Sequence, residues 1–167
     1  MQAKDLAFGC LLGGYKGFVT RAWYPVLYAA CHPQGTVDEV YANGLMSKLA
    51  YDVFAVFQPG DVLTATDIRL RLDMETKTEA AKVDKALAFL QQQFWLSPCG
   101  CEQRLSKTGQ PYGWPMVTYC HTQEWAGDWL GETIAPQDAR ARILAHCAGW
   151  QREIDMEKLV VVLFGKD

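Results

Sequence analysis

The sequence lacks an apolar run long enough to cross a bilayer, and its first residues lack the pattern of a signal peptide. The N-terminal segment MQAKDLAFGCLLGGYKG is interrupted by glycines and carries an acidic residue beside its first lysine. Six cysteines without an export signal are typical of free thiols rather than of a disulfide framework. We therefore expect a cytoplasmic protein that does not associate with a membrane.

Positive charge is also scarce. The chain has 16 Lys and Arg against 19 Asp and Glu, a net charge of −3 and a pI near 5.6. This balance argues against a protein that coats nucleic acid by charge alone. Half of the 167 residues are hydrophobic (50%), which is enough to bury one good core. We expect a single compact domain over residues 1–167.

Motifs of common catalytic chemistry are missing. The segment LLGGYKG lacks the GK[ST] ending of a phosphate-binding loop, and no convincing strand precedes it. His32, His121 and His146 are scattered, and none has a Ser-His-Asp or Cys-His setting. The sequence predicts no cofactor, and it leaves catalytic residues unassigned.

Four residues could in principle bind zinc: Cys99, Cys101, Cys120 and His121. Alternation along a strand would direct Cys120 and His121 to opposite faces, and Cys-x-x-Cys pairs are absent. We predict that no metal is bound and that the thiols serve as small apolar side chains.

The middle of the chain predicts three helices followed by two strands. Thr36 and Glu39 have the spacing of a capping box, and apolar residues then recur at helical period up to Phe57. A short helix is predicted from Ala65 to Leu72, with Thr64 as its cap. The third helix is predicted from a further capping box, Thr76 and Glu79, and from an apolar stripe of Val83, Leu87, Leu90 and Phe94.

The period then changes to that of strands, over Trp95–Arg104 and Tyr112–Cys120, joined by the turn-rich segment LSKTGQPYG. This order predicts an α+β, mainly helical fold: a winged helix-turn-helix over about residues 36–121, with additional N- and C-terminal helices in 1–35 and 122–167. An unrelated α+β domain with the same elements is the alternative.

The flanks predict further helices. Lys16–Thr20 is a short strand or turn before a helix from Arg21 to about Ala30. Pro136 suits the first position of a helix whose buried face is Ala139, Ile143, Cys147 and Trp150. Asp155 is expected to cap a last helix. These helices should pack on the winged helix or on a partner copy.

Three segments, KGFVTRAWYP, LQQQFWL and KTGQPYGWP, resemble a group of short bacterial proteins related to the AlkZ-type DNA glycosylases, over residues 15 to 125. The resemblance implies winged helices and a DNA-related role. Those glycosylases contain several such units in tandem and excise alkylated or cross-linked bases with a Gln-x-Gln or Gln-x-Asp motif near the N-terminus. Gln91-Gln92-Gln93 matches the motif literally but ends a helix instead, where residues two apart do not face each other. No catalytic role is transferred to Gln91 or Gln93, and that question stays open.

The face of the third helix opposite its apolar stripe would be the recognition surface of a winged helix. We predict that its lysines contact phosphates, that Gln92 contacts adenine, and that the wing adds two cations. The candidate nucleic-acid-binding residues are Thr78, Lys82, Lys85, Gln92, Arg104 and Lys107. The stripe should be buried, and Lys82, Lys85 and Gln92 should be exposed.

Two functions remain open. The first is a duplex-DNA-binding winged-helix protein in DNA repair or regulation. The second is a dimeric module that binds protein through a face centred on Phe89 and has no catalytic activity. Residues 36–121 contain eight Lys or Arg and ten Asp or Glu, and two of the acidic residues, Glu79 and Asp84, lie among the candidate residues of the third helix. This balance weighs against DNA binding. Aromatic residues could form a groove for bases or simply pack: Trp23, Tyr24, Trp125 and Trp129.

Overall fold

A computed structural model of the chain describes residues 5–131, 133–150 and 155–164. Within these ranges the fold is α+β and mainly helical, with eight helices and two small sheets. In chain order the elements are β1 Leu6–Leu12, β2 Tyr15–Thr20, α1 Tyr24–Cys31, α2 Val37–Ala42, α3 Lys48–Ala55, β3 Leu63–Thr64, α4 Ala65–Arg71, α5 Lys77–Gln92, β4 Leu96–Glu102, β5 Met116–His121, α6 Thr122–Leu130, α7 Pro136–Ala148 and α8 Met156–Phe164. No helix in the described ranges has the length and apolarity that a membrane crossing requires.

The central unit, from α2 to β5, packs the four helices α2 to α5 on a three-stranded antiparallel sheet. The strand order is β3-β5-β4, so the last strand lies between the other two. Val53, Ile68, Val83, Leu90 and Leu96 are almost completely buried where helices and sheet meet. The α5 stripe is confirmed as core, since its four members are at most 2% exposed.

The segment predicted as one helix from Thr36 to Phe57 is two helices. The capping box at Thr36 is confirmed, but α2 ends after six residues and Gly44 adopts a left-handed backbone (φ +73°). Ser47 then caps α3 by accepting a hydrogen bond from the Ala50 N–H. Leu45, which continues the apolar period of this segment, is 64% exposed because it follows the turn at Gly44.

The other central helices follow the sequence. Thr64 and Thr76 form complete capping boxes at the starts of α4 and α5. α5 ends in a tight turn, in which Phe94 is buried despite a φ of +56°. The two predicted wing strands are present as an antiparallel pair, β4 and β5, each shorter than expected.

The N-terminal flank contains a hairpin that the sequence reasoning missed, since that flank was predicted to contribute helices. β1 and β2 pair across the two-residue turn Gly13-Gly14, whose positive φ values of +60° and +80° suit glycine. The hairpin packs on α5 and β4. Of the strand or turn predicted at Lys16–Thr20, the structure shows the strand, β2, and the following helix begins later than expected, at Tyr24.

The C-terminal flank is helical, as predicted. α7 begins at Pro136, and its Ala139, Ile143 and Cys147 are buried. Asp155 accepts a hydrogen bond from the Lys158 N–H at the start of α8. Trp150 departs from the prediction, because it lies beyond the end of α7 and is half-exposed.

These flanking helices and the hairpin share an apolar cluster with α1 and with Phe94. Phe94 thereby connects this cluster to the central unit, because its neighbours Leu90 and Leu96 belong to the central core.

Candidate nucleic-acid interface

Three of the candidate residues lie on the polar face of α5, towards its N-terminal end. Thr78, Lys82 and Lys85 are exposed, on the side opposite the buried stripe. No carboxylate among the described residues lies within ion-pair distance of either lysine. Both ammonium groups are therefore available to an external anion.

The acidic residues beside these lysines are engaged in the fold. Asp84 forms an ion pair with Arg69 of α4. Glu79 closes the capping box of α5, and hydrogen bonds from the Thr76 hydroxyl and backbone N–H lower the pKa of its carboxyl. Arg69 therefore offsets the charge of Asp84, whereas Glu79 remains an ionised carboxylate whose charge also acts on Lys82.

Gln92 does not share that face. It is half-buried and lines a cavity of about 320 Å³ with Arg140 of α7 and Phe164 of α8. The predicted exposure of Gln92 is wrong because the flanking helices cover the end of α5. Phe89 is also half-buried, packed against the central core, so it does not form the centre of an exposed protein-binding face.

The loop between β4 and β5, residues 103–115, presents the two cations assigned to the wing. Arg104 and Lys107 are exposed, and neither forms an ion pair within the described part of the chain. The same loop exposes three large apolar side chains to which the sequence reasoning gave no role: Leu105, Tyr112 and Trp114. The segment KTGQPYGWP was conspicuous in the sequence, but composition alone could not show which of its rings face solvent.

Comparison with protein-family models matches residues 1–163 to the family described as AlkZ related. The chain belongs to the AlkZ-related family. The match covers the hairpin and the C-terminal helices as well as the segments KGFVTRAWYP, LQQQFWL and KTGQPYGWP. Comparisons with curated proteins and with solved structures gave no match.

In this AlkZ-related chain the first glutamine of the Gln-x-Gln sequence, Gln91, is part of the core. Gln91 is 5% exposed, its Oε1 accepts a hydrogen bond from the Cys10 N–H at 3.1 Å, and its Nε2 donates to the Leu87 carbonyl at 3.1 Å. Gln93 is the residue after α5, and its carbonyl accepts a hydrogen bond from His32 Nδ1 at 2.8 Å. The geometry assigns Gln91 a structural role that joins β1 to α5.

The thiols of β4 and β5 are spread over the sheet. Cys99 Sγ lies 3.6 Å from the Thr118 hydroxyl, Cys101 is exposed and Cys120 is buried. His121 packs against the ring of Phe54 in α3 and the ring of Phe57 just after that helix. Among the described residues, no three His, Cys, Asp or Glu side chains are grouped as metal ligands. The absence of a bound metal stays a prediction.

The aromatic residues considered as a groove for bases instead pack together. Tyr24 is completely buried, its hydroxyl is 2.9 Å from Ser97 Oγ, and burial raises its pKa to about 12. Its ring contacts Trp125 and Trp129 at centroid distances of 5.7 and 5.4 Å. Trp23 and Trp125 are partly exposed, and Trp23 lines an open surface.

That surface is an apolar groove of about 400 Å³ between the hairpin, α1, α7 and α8. Tyr15 and Phe18 on one wall are more than two-thirds exposed, and Trp150 on the other is half-exposed. His146 packs between Trp23, whose ring is tilted to it, and Trp150, which meets it edge-on. The groove can accept an apolar surface and offers few hydrogen-bonding groups.

A smaller cavity of about 180 Å³ lies beside β5 and α6, lined by His32, Trp95, His121 and Glu124 among others. Glu124 accepts a hydrogen bond from the Gly60 N–H at 2.9 Å and lies 3.8 Å from His121 Nδ1. Burial lowers the pKa of His32, so its ring is held neutral while it donates to Gln93. The lining of this cavity combines polar side chains with the rings of Phe54, Phe94 and Trp95.

Proposed function

We propose that this AlkZ-related chain binds duplex DNA through a winged helix formed by α2 to β5. In this proposal α5 is the recognition helix and the loop at 103–115 is the wing. The order of helices and strands and the antiparallel arrangement β3-β5-β4 support it. Family membership supports a DNA-related role. Repair or regulation in the cytoplasm is part of the proposal.

The distribution of free cations carries the proposal. Between Thr36 and His121, the cations of α3 and α4 are ion-paired: Lys48, Arg69 and Arg71. The five cations without an ion pair in the described residues all lie on α5 or the wing: Lys77, Lys82, Lys85, Arg104 and Lys107. Free cations concentrated on these two elements are what contact with a phosphate backbone requires.

Each candidate residue then has a defined role. Lys82, Lys85, Arg104 and Lys107 would neutralise phosphates, and the Thr78 hydroxyl would donate to a phosphate oxygen. Gln92 lies about 15 Å further along the helix than Lys82. It could contact a base edge only with the part of its amide that the flanking helices leave open. We propose no catalytic role for Gln91, because both ends of its amide are already hydrogen-bonded.

The test is a fluorescence-anisotropy titration of labelled duplex DNA at low and moderate salt, with alkylated and single-stranded DNA as further probes. Lys82→Ala, Lys85→Ala and Arg104→Ala should each weaken binding and lower the salt slope by about one unit, since each removes a phosphate contact. Lys48→Ala is the matched control, because Lys48 is paired with Asp52 and lies on α3. Equal affinity and salt slope in wild type and the Lys82/Lys85 double variant would refute the recognition-helix assignment.

A second candidate function, self-association or binding of a protein, is favoured by the apolar groove beside the hairpin. Its exposed aromatic walls, Tyr15, Phe18 and Trp150, would be covered in a dimer. Sedimentation analysis of wild type and Phe18→Ser distinguishes this candidate. A concentration-dependent dimer that Phe18→Ser abolishes would support it, and a monomer at all concentrations would contradict self-association.

A further inference from the structure

The wing loop combines free positive charge with exposed rings. Residues 103–115 contain Arg104 and Lys107 and no acidic residue, although the chain as a whole is acidic. Trp114 is 90% exposed, the most exposed large apolar residue in the described part of the chain, and Tyr112 is 53% exposed. An indole presented to water in this way contributes nothing to the core.

The loop that presents these rings is ordered by its own hydrogen bonds. Ser106 N–H donates to the Gln110 carbonyl at 2.8 Å, and Gly109 N–H donates to the Ser106 carbonyl at 2.9 Å. The Gln103 side chain donates to the carbonyls of Tyr112 and Gly113 at 3.1 and 3.3 Å, immediately before Trp114. A pre-ordered loop loses little conformational entropy when its tip is covered, so it is suited to binding.

We propose that Trp114, assisted by Tyr112, stacks on an unpaired base, so that the protein prefers DNA containing unstacked nucleotides over intact duplex. This inference rests on the proposed function, in which the wing lies against DNA. The two cations of the loop favour nucleic acid over an apolar protein surface, because aromatic rings flanked by cations are the usual platform for unpaired nucleotides. In an intact duplex only base edges are accessible, whereas a bulge or gap exposes a base face to the indole.

The experiment compares a short labelled duplex with the same duplex carrying a central bulge of a few unpaired nucleotides. Wild type should bind the bulged DNA more tightly. Trp114→Ala should lose roughly tenfold or more in affinity for the bulged DNA, the typical effect of removing a stacking ring, with little change on the plain duplex. Trp114→Phe should retain most of the preference, because a ring remains. The salt slope should not change in either variant, since no phosphate contact is removed.

The controls separate this inference from the function on which it rests. Lys107→Ala should weaken binding to both DNAs to a similar extent, and thermal unfolding should show that every variant is folded. If plain duplex binds in a Lys82- and Lys85-dependent manner but Trp114→Ala affects both DNAs equally or neither, the stacking role fails alone. If neither DNA binds, both proposals fail. Self-association that Trp114→Ala abolishes would instead assign the ring to a protein contact and overturn the stacking role.

Discussion

The buried amide of Gln91 allows a quantitative test of its structural role. Gln91→Ala leaves the buried Cys10 N–H without an acceptor, which typically costs about 1–3 kcal/mol. Removing the buried methylene and amide also leaves a cavity, which adds on the order of 1 kcal/mol. The free energy of unfolding should therefore fall by about 2–4 kcal/mol. In a chain of this size the melting temperature should drop by roughly 5–15 °C.

Urea unfolding followed by circular dichroism measures this change directly. Gln91→Leu should recover the cavity contribution but not the hydrogen bond, and so separates the two effects. The matched control is Gln92→Ala. The half-buried Gln92 side chain makes no hydrogen bond to any described residue, so this change should cost about 1 kcal/mol or less. If Gln91→Ala and Gln92→Ala unfold at the same urea concentration, the structural role assigned to Gln91 is refuted.

Two further predictions concern pH and backbone packing. Because burial holds the pKa of His32 below its unfolded value, the unfolded state binds more protons; stability should fall as pH decreases from about 6.5 through the lower folded pKa. His32→Gln should remove that part of the pH dependence, and an unchanged profile in urea unfolding would contradict it. Gly13→Ala should destabilise far more than Gly109→Ala in thermal unfolding, because both glycines have positive φ but a Cβ at Gly13 would lie 1.9 Å from the Val162 carbonyl oxygen, whereas Gly109 has open space. Equal losses would contradict the observed packing of α8 on the hairpin.

The central helices were predictable because their signals are local. A capping box joins residues three apart, so Thr36, Thr64 and Thr76 mark helix starts whatever surrounds them. Helical period likewise predicted which side of α5 is buried. The break at Gly44 was missed because the apolar period continues across it, and the decisive feature is a left-handed backbone that the pattern does not record.

Features that depend on distant parts of the chain were not predictable. Gln91 is partnered by Cys10, which is 81 residues away, so its structural role cannot be inferred from LQQQFWL alone. Gln92 is half-buried because α7 and α8 close over the end of α5. The strand β1 was missed because LAFGCLL is apolar or glycine at every position, so its sequence shows no alternation of apolar and polar residues. The hairpin becomes evident only through its packing on α5.

Chemical-shift mapping by NMR tests the proposed interface most directly, and an 18.7 kDa chain is within its range. Addition of a short DNA duplex to the labelled protein should perturb the amide signals of Thr78, Lys82 and Lys85, together with those of the loop at 103–115. Signals around Phe18 and Trp150 should remain in place. Perturbations confined to that apolar groove, or no perturbation at DNA concentrations well above those of the protein, would contradict DNA binding through α5 and the wing.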